Sequence, residues 1–285
     1  MTRNTNTAMS RARRRAVAAG TVFALTLPLP LLTTGTAAAT GGAGKPVEAT
    51  AALPQLQLPR PTGPYAVGRD ILHLTDRSRS DPWRPQTGPR QLMVSMYYPA
   101  RHGRGSAGTA PYMTGREAKA LLEGQGLEEA VPVETVTSVR TNSRTHARPA
   151  PGRHPLVVLS PGFTLQRTTL SILAEELAGR GYAVASVDHA HESFGTSFPG
   201  GRFTTCAACE AVEDAPDEEA SRALLAKVAE GRSTDLSFLL DELTGPHPAW
   251  RHARMIDRRR TGVAGHSIGG NAAAQFMADD PRVRA

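Results

Sequence analysis

The chain has little of several things, and each shortage removes a class of protein. Cysteine occurs twice, at Cys206 and Cys209, in 285 residues. That excludes a disulfide-dense scaffold, and with no further ligand at suitable spacing it excludes a zinc site. No internal repeat is visible, so a solenoid is excluded. The longest apolar stretch, Ala16 to Leu32, falls short of the ~20 residues of a membrane-spanning helix and is broken by Gly20, Pro28 and Pro30. Lysine is confined to Lys45, Lys119 and Lys227, so arginine carries the positive charge.

The apolar stretch reads instead as part of a targeting segment. Arg11, Arg13, Arg14 and Arg15 precede it and Ala37, Ala38 and Ala39 follow it, the pattern of a secretory signal peptide cleaved near Ala39. A secreted, extracellular protein is expected, by an export route that the faint twin-arginine likeness of Arg14 and Arg15 leaves open. Residues 1–39 are therefore set aside, and 40–62, rich in Gly, Ala and Pro, are expected to be a flexible mature N-terminus. The net charge of +7 is mostly targeting, because five arginines and no acid precede Thr40 and only +2 belongs to the rest. That is no electrostatic footprint for nucleic acid. In an exported chain Cys206 and Cys209 read as a short-range disulfide stapling a loop, with a reactive dithiol as the alternative.

Residues 63–285 read as one α/β domain. Leu92, Val94, Met96 and Tyr98 alternate along a strand at 91–100, preceded by a hairpin or loop at 76–90. "REAKALLEG" predicts a helix, 131–140 is rich in β-branched residues and is at best a short edge strand, and 141–154 is a linker. Leu156 to Leu159 form a wholly apolar strand, as in a parallel sheet. Leu170, Leu173, Leu177 and Ala178 then recur at helical spacing up to Gly181, and "YAVASVDH" gives a second buried strand, so the three form a right-handed crossover. Residues 189–220 read as an acidic, loop-like insertion whose charge run from Glu210 to Glu219 is a solvated face. A helix at 221–243, interrupted at Gly231, carries Leu236, Leu239, Leu240 and Leu243 on one face. A third strand, Thr261 to Gly265, enters "GHSIG".

That pentapeptide, Gly265 to Gly269, has the form G-x-S-x-G between a strand and a helix. Ser267 is the candidate nucleophile, lifted above the sheet on a tight, strained turn that Gly265 and Gly269 make room for. "SPGF" at 160–163 ends an earlier parallel strand, and the backbone N–H groups of Phe163 and Ile268 are placed to converge on one developing oxyanion. His266 is treated as part of the elbow. Asp188, His189, His191 and Glu192 in "DHAHE" tempt a metal reading, but no third ligand is correctly spaced, so they are taken as polar strand-end residues facing the site cleft.

The segments "YYPA", "HPLVVLSPGFTLQRTTLSILAEELAGRGYAVASVDHAHES", "RSTDLSFLLDEL" and "RRRTGVAGHSIGG" resemble the platelet-activating factor acetylhydrolase family of α/β hydrolases, including its secreted bacterial lipase-like members. The second half is also similar to secreted actinobacterial cutinases. The resemblance implies an α/β-hydrolase fold, a mostly parallel sheet flanked by helices, with Ser267 as nucleophile and the Phe163 and Ile268 amides as oxyanion hole. It implies a serine esterase acting on lipid or small acyl esters with no cofactor and no metal. A cutinase-like polyesterase and a non-catalytic binding protein are the alternatives. Lipid contact through Phe194 and Phe198 is a further expectation. In this fold the triad runs Ser, then Asp or Glu, then His. All nine histidines lie at or before the elbow, and Asp279 and Asp280 come too early for the acid. The domain is therefore expected to be C-terminally incomplete, with the triad acid and histidine not present in this chain.

Overall fold

A computed structural model of the chain describes residues 55–103 and 108–285. The segment read as a signal peptide lies outside them. The strands are β1 (Ala66–Ser80), β2 (Pro89–Ala100), β3 (Ser143–Thr145), β4 (His154–Ser160), β5 (Ala183–His189), β6 (Thr196–Ser197), β7 (Phe203–Thr204) and β8 (Ile256–Gly265). The helices are α1 (Gly115–Gln125), α2 (Val133–Thr137), α3 (Ser171–Gly179), α4 (Ala207–Glu213), α5 (Glu218–Thr244) and α6 (Ile268–Asp279). Six strands form one sheet in the order β3-β1-β2-β5-β4-β8. β4 runs parallel to both β5 and β8, and β3 runs parallel to β1, whereas β2 is antiparallel to β1 and β5. β6 and β7 make a separate small hairpin.

Helices cover both faces of the sheet, as the resemblance to α/β hydrolases implies. Every residue of β5 is buried, because it lies between two strands and under helices on both faces. On one face Ala174 and Ala178 of α3 pack against Val67, Tyr97, Leu159 and Val184. On the other, Leu236, Leu239, Leu240 and Leu243 of α5 join Ala272 and Phe276 of α6 over Leu92, Val94, Leu156 and Val158. The alternation along β4, Leu156 and Val158 to one face and Leu159 to the other, produces this sandwich.

Several elements differ from the sequence expectations. Residues 131–140 hold the short helix α2 rather than an edge strand, since β-branched residues favour extension only where a sheet edge accepts them. The edge strand is β3, inside the stretch read as a linker. Residues 55–62, the described part of the segment expected to be flexible, hydrogen-bond to the domain: Leu58 N–H donates to Arg140 O (2.8 Å) and Thr62 Oγ1 to Glu176 (2.5 Å). Leu173 is exposed, and the buried stripe of α3 is Ala174 and Ala178. The insertion at 189–220 contains β6, β7, α4 and the start of α5. Gly231 does not interrupt α5, which runs unbroken for 27 residues from an Asp217 cap. Its length and its buried leucines outweigh the ~1 kcal/mol that one glycine costs a helix. The acidic run is exposed from Glu213 to Glu219, as expected. Beyond α6, Val283 to Ala285 lie parallel to β8, with Arg284 N–H donating to Thr261 O (2.7 Å) and Val263 N–H to Ala285 O (2.8 Å).

One carboxylate fastens the edge of the sheet. Glu175, buried on α3, accepts the N–H groups of Asn142 (3.0 Å) and Ser143 (2.8 Å) and the Asn142 side-chain amide (2.9 Å). Glu175→Leu leaves two backbone donors without an acceptor and is expected to destabilise the domain by about 2–4 kcal/mol in urea titrations. Amide exchange at Ser143 should accelerate before that of β4.

Candidate active site

β8 ends at Gly265, the chain turns through His266 and Ser267, and α6 begins at Ile268. Ser267 sits at φ 53°, ψ −124°, a backbone region that residues with a side chain rarely enter. Its side chain is exposed. The turn is tight enough to demand its glycines. A Cβ on Gly265 would lie 2.1 Å from Gly269 O, and one on Gly269 would lie 2.3 Å from both Ser160 O and Pro161 O. The elbow therefore presses its backbone directly onto the end of β4, and His266 N–H donates to Ser160 O (3.2 Å).

The structure brings the two sequence-nominated segments together. Phe163, after β4, and Ile268, on α6, pack on one small apolar cluster formed by Cys206, Ala208 and Val228, with Trp83 and Cys209 beside them. Cys206 and Cys209 are joined as a disulfide at the start of α4. The N–H groups of Phe163 and Ile268 have no acceptor among the described residues, and neither have those of Gly162 and Ser267. Four backbone donors thus remain unspent on the two segments that meet at the elbow, an arrangement suited to stabilising negative charge on a substrate oxygen.

"DHAHE" behaves differently from the expectation. Asp188, His189 and Glu192 do not face a cleft but are buried in ion pairs. Asp188 pairs with Arg167. Glu192 accepts from Arg90 Nη2 (2.7 Å), Arg232 Nε (2.7 Å) and Trp83 Nε1 (2.9 Å). Arg90 also binds Asp235 Oδ2 (2.8 Å), Asp81 Oδ2 (2.9 Å) and Ala190 O (2.6 Å). His189 lies between Asp235 Oδ2 (2.7 Å, through Nδ1) and Ser160 Oγ (3.0 Å, through Nε2). Ser160, His189 and Asp235 are thus linked in the order of a catalytic triad. All three are closed off from solvent, so no ester reaches the Ser160 hydroxyl and the relay is structural. Phe198 is likewise buried, against Met93 and Ala190 with the Arg202 guanidinium over its ring, whereas Phe194 is half-buried beside Gly124 and lines an open surface pocket with Phe203.

Arg90, Arg232, Asp235 and Ser160 escaped the sequence reading. A signal was present: Arg232 and Asp235 fall on the same helical stripe as Val228, Leu236 and Leu239, where a charge is out of place unless it is paired. Burial pushes the His189 imidazole below its ordinary 6.5, reinforced by the Arg232 charge, and outweighs the Asp235 carboxylate. Burial alone would raise Asp235 and Glu192, but the guanidinium groups hold both below the ordinary carboxylate range. For all three the folded pKa is below the unfolded one, so each contributes stability above its unfolded pKa that is lost as pH falls through the folded one. Thermal unfolding is therefore expected to show a plateau above pH 6.5 and a decline below it, first as His189 is forced to ionise and then, below about 4.5, as Glu192 and Asp235 take up protons. His189→Gln should shrink the upper part of that decline and keep the lower part, the remainder coming from His191 and His252, whose imidazoles burial also holds below 6.5.

Residues 50–214 match the family model described as platelet-activating factor acetylhydrolase, isoform II. A probable 1-alkyl-2-acetylglycerophosphocholine esterase of Arthroderma benhamiae is 30% identical over 80% of this chain and 57% of its own length. The platelet-activating factor acetylhydrolase of Cavia porcellus is 27% identical over 46% of this chain and 34% of its own. Among solved structures, a ferulic acid esterase from Streptomyces cinnamoneus superposes with a TM-score of 0.67 and 43% identity, over 81% of this chain and 60% of that one. The chain thus spans about a third to three fifths of the relatives it matches.

Proposed function

Because the chain belongs to the platelet-activating factor acetylhydrolase isoform II family, we propose that it forms the nucleophile-bearing part of an exported serine ester hydrolase. The observation that supports this most directly is the geometry of Ser267: an exposed hydroxyl on a strained strand-to-helix turn, beside backbone N–H groups without acceptors. In this reading the Ser267 Oγ attacks the ester carbonyl, and the Phe163 and Ile268 N–H groups hold the oxygen that becomes negative. The alcohol leaves, and water then releases the acid from the acyl-enzyme. The proton must pass from Ser267 to a histidine. His189 is committed to Ser160 and Asp235, and His266 turns towards Gly162. The relatives extend well beyond the matched part, so hydrolysis is assigned to the whole protein.

Substrates of this reading are lipid or small acyl esters. One relative is named for an acetylated glycerophosphocholine and one for platelet-activating factor, and they favour a short acyl chain on a phospholipid. The 43% identity to a ferulic acid esterase favours a second reading, an ester of a small aromatic acid. The two separate in a direct comparison of turnover on a short-chain phospholipid and on a hydroxycinnamate ester.

A fluorophosphonate probe tests the chemistry. We expect the complete gene product to be labelled at Ser267 alone, with labelling and ester hydrolysis both abolished in Ser267→Ala and thermal stability little changed, since alanine keeps the Cβ and the same strained turn. Labelling at another serine, or hydrolysis that survives the substitution, would overturn the assignment.

A further inference from the structure

The segment from Ser160 to Leu165 has to point a glycine-flanked peptide at the substrate oxygen. Nothing within it forces that direction. Pro161 has no N–H to anchor, and Gly162 lacks the Cβ that would restrict rotation of the planes on either side. In a planar trans peptide the carbonyl and the N–H point opposite ways. Holding the Pro161 carbonyl therefore aims the Gly162 N–H, and holding the Gly162 carbonyl aims the Phe163 N–H. Three groups do the holding. Arg232 Nη1, from inside α5, donates to Pro161 O (2.6 Å). Leu165 N–H donates to Gly162 O (3.2 Å). Thr164, in the left-handed region at φ 74°, is fixed at both ends by the main chain next to β5: its N–H donates to Glu192 O (3.1 Å) and its carbonyl accepts from Phe194 N–H (2.8 Å). Glu192 unites these restraints, because its carboxylate is the counter-ion of Arg232 (Oε2, 2.7 Å) while its backbone carbonyl tethers Thr164. Arg232 and Glu192 are each about 1% exposed, so water cannot replace either partner.

We propose that Arg232 is the positioning residue of the oxyanion hole: paired with Glu192 inside the domain, it clamps the Pro161 carbonyl and so fixes the Gly162 N–H directly, and it fixes the Phe163 N–H through the adjoining peptide, whose far side Leu165 and the Glu192-tethered Thr164 hold. The proposal rests on the serine-hydrolase reading of Ser267. It goes beyond that reading by assigning catalytic geometry to a buried ion pair that touches neither substrate nor nucleophile. It also gives the buried charges a use: an ordinary hydrogen bond to Pro161 O could be made by a small polar side chain, but a guanidinium reaches the loop and its carboxylate partner at once in a fixed plane.

The test uses the complete gene product with Arg232→Lys and Arg232→Met, reading kcat and KM on a soluble acyl ester, the fluorophosphonate labelling rate at Ser267, and amide resonances of Gly162 and Phe163. The clamp predicts that Arg232→Met lowers kcat and labelling on the order of 10²-fold, the scale of losing one oxyanion donor. KM and the shape of the pH profile should change little, and Arg232→Lys should recover part of the loss. The Gly162 and Phe163 amides, single and sharp in the unmodified protein, should broaden or split in Arg232→Met. Folded Arg232→Met with unchanged kcat and unchanged amide resonances overturns the proposal, as does a loss of rate that only tracks the folded fraction. If Arg232→Met does not fold, the same criteria apply to Arg232→Lys. Should Ser267 of the unmodified protein fail to react at all, the hydrolase reading falls, and the clamp is decided by the amide resonances alone.

Discussion

The architecture depends on charges enclosed where water cannot reach them. Arg90 on β2, Glu192 after β5, and Arg232 and Asp235 on α5 lie within hydrogen-bond reach of one another, each at the bottom of the exposure range. Burying such groups costs several kcal/mol each, and the attraction between them repays this only when every donor and acceptor is matched. Here each charge has an opposite partner within 3 Å, and the pairing has a spatial consequence. Removing any one member leaves an uncompensated charge in the interior, so the network admits a single arrangement of β2, β5 and α5. The loop that follows β4 is attached to that arrangement through Arg232.

The elbow is built on the opposite principle. Its Ser267 is strained, exposed and without an intramolecular cap on α6, and what holds it is close backbone packing of Gly265 and Gly269 against one another and against the end of β4. Strain of this kind persists only when the surroundings over-determine it. The parallel pairing of β4 with β8, the His266 to Ser160 hydrogen bond and the seating of Ile268 beside Phe163 supply that determination. The reactive-looking turn thus sits on a rigid, polar foundation. Ser160 belongs to both: its hydroxyl bonds to His189 below and its carbonyl receives the elbow above.

The family match ends at residue 214, ahead of α5 and the elbow. The relatives nonetheless extend the likeness across about four fifths of the chain. The match covers the sheet from β1 to β5, and the remaining part supplies the helix that carries Arg232 and the turn that carries Ser267. The candidate site is assembled from both, which is why neither part describes it alone.

Local pattern determined the strands β2, β4, β5 and β8, the leucine face of α5 and the nucleophile candidate, because period, apolar runs and G-x-S-x-G are properties of neighbours in the chain. The same reading nominated Phe163 and Ile268, 105 positions apart, from the type of segment each occupies. It missed β3 and α2, where propensity yields to whichever edge is available, and it took Gly231 for a break that the packing of a long helix overrides. Above all it could not find the ion network. Arg90, Glu192, Arg232 and Asp235 are ordinary surface residue types, and only the tertiary fold decides that they meet, since the free energy of a buried charge depends on partners distant in sequence and on the exclusion of water around them.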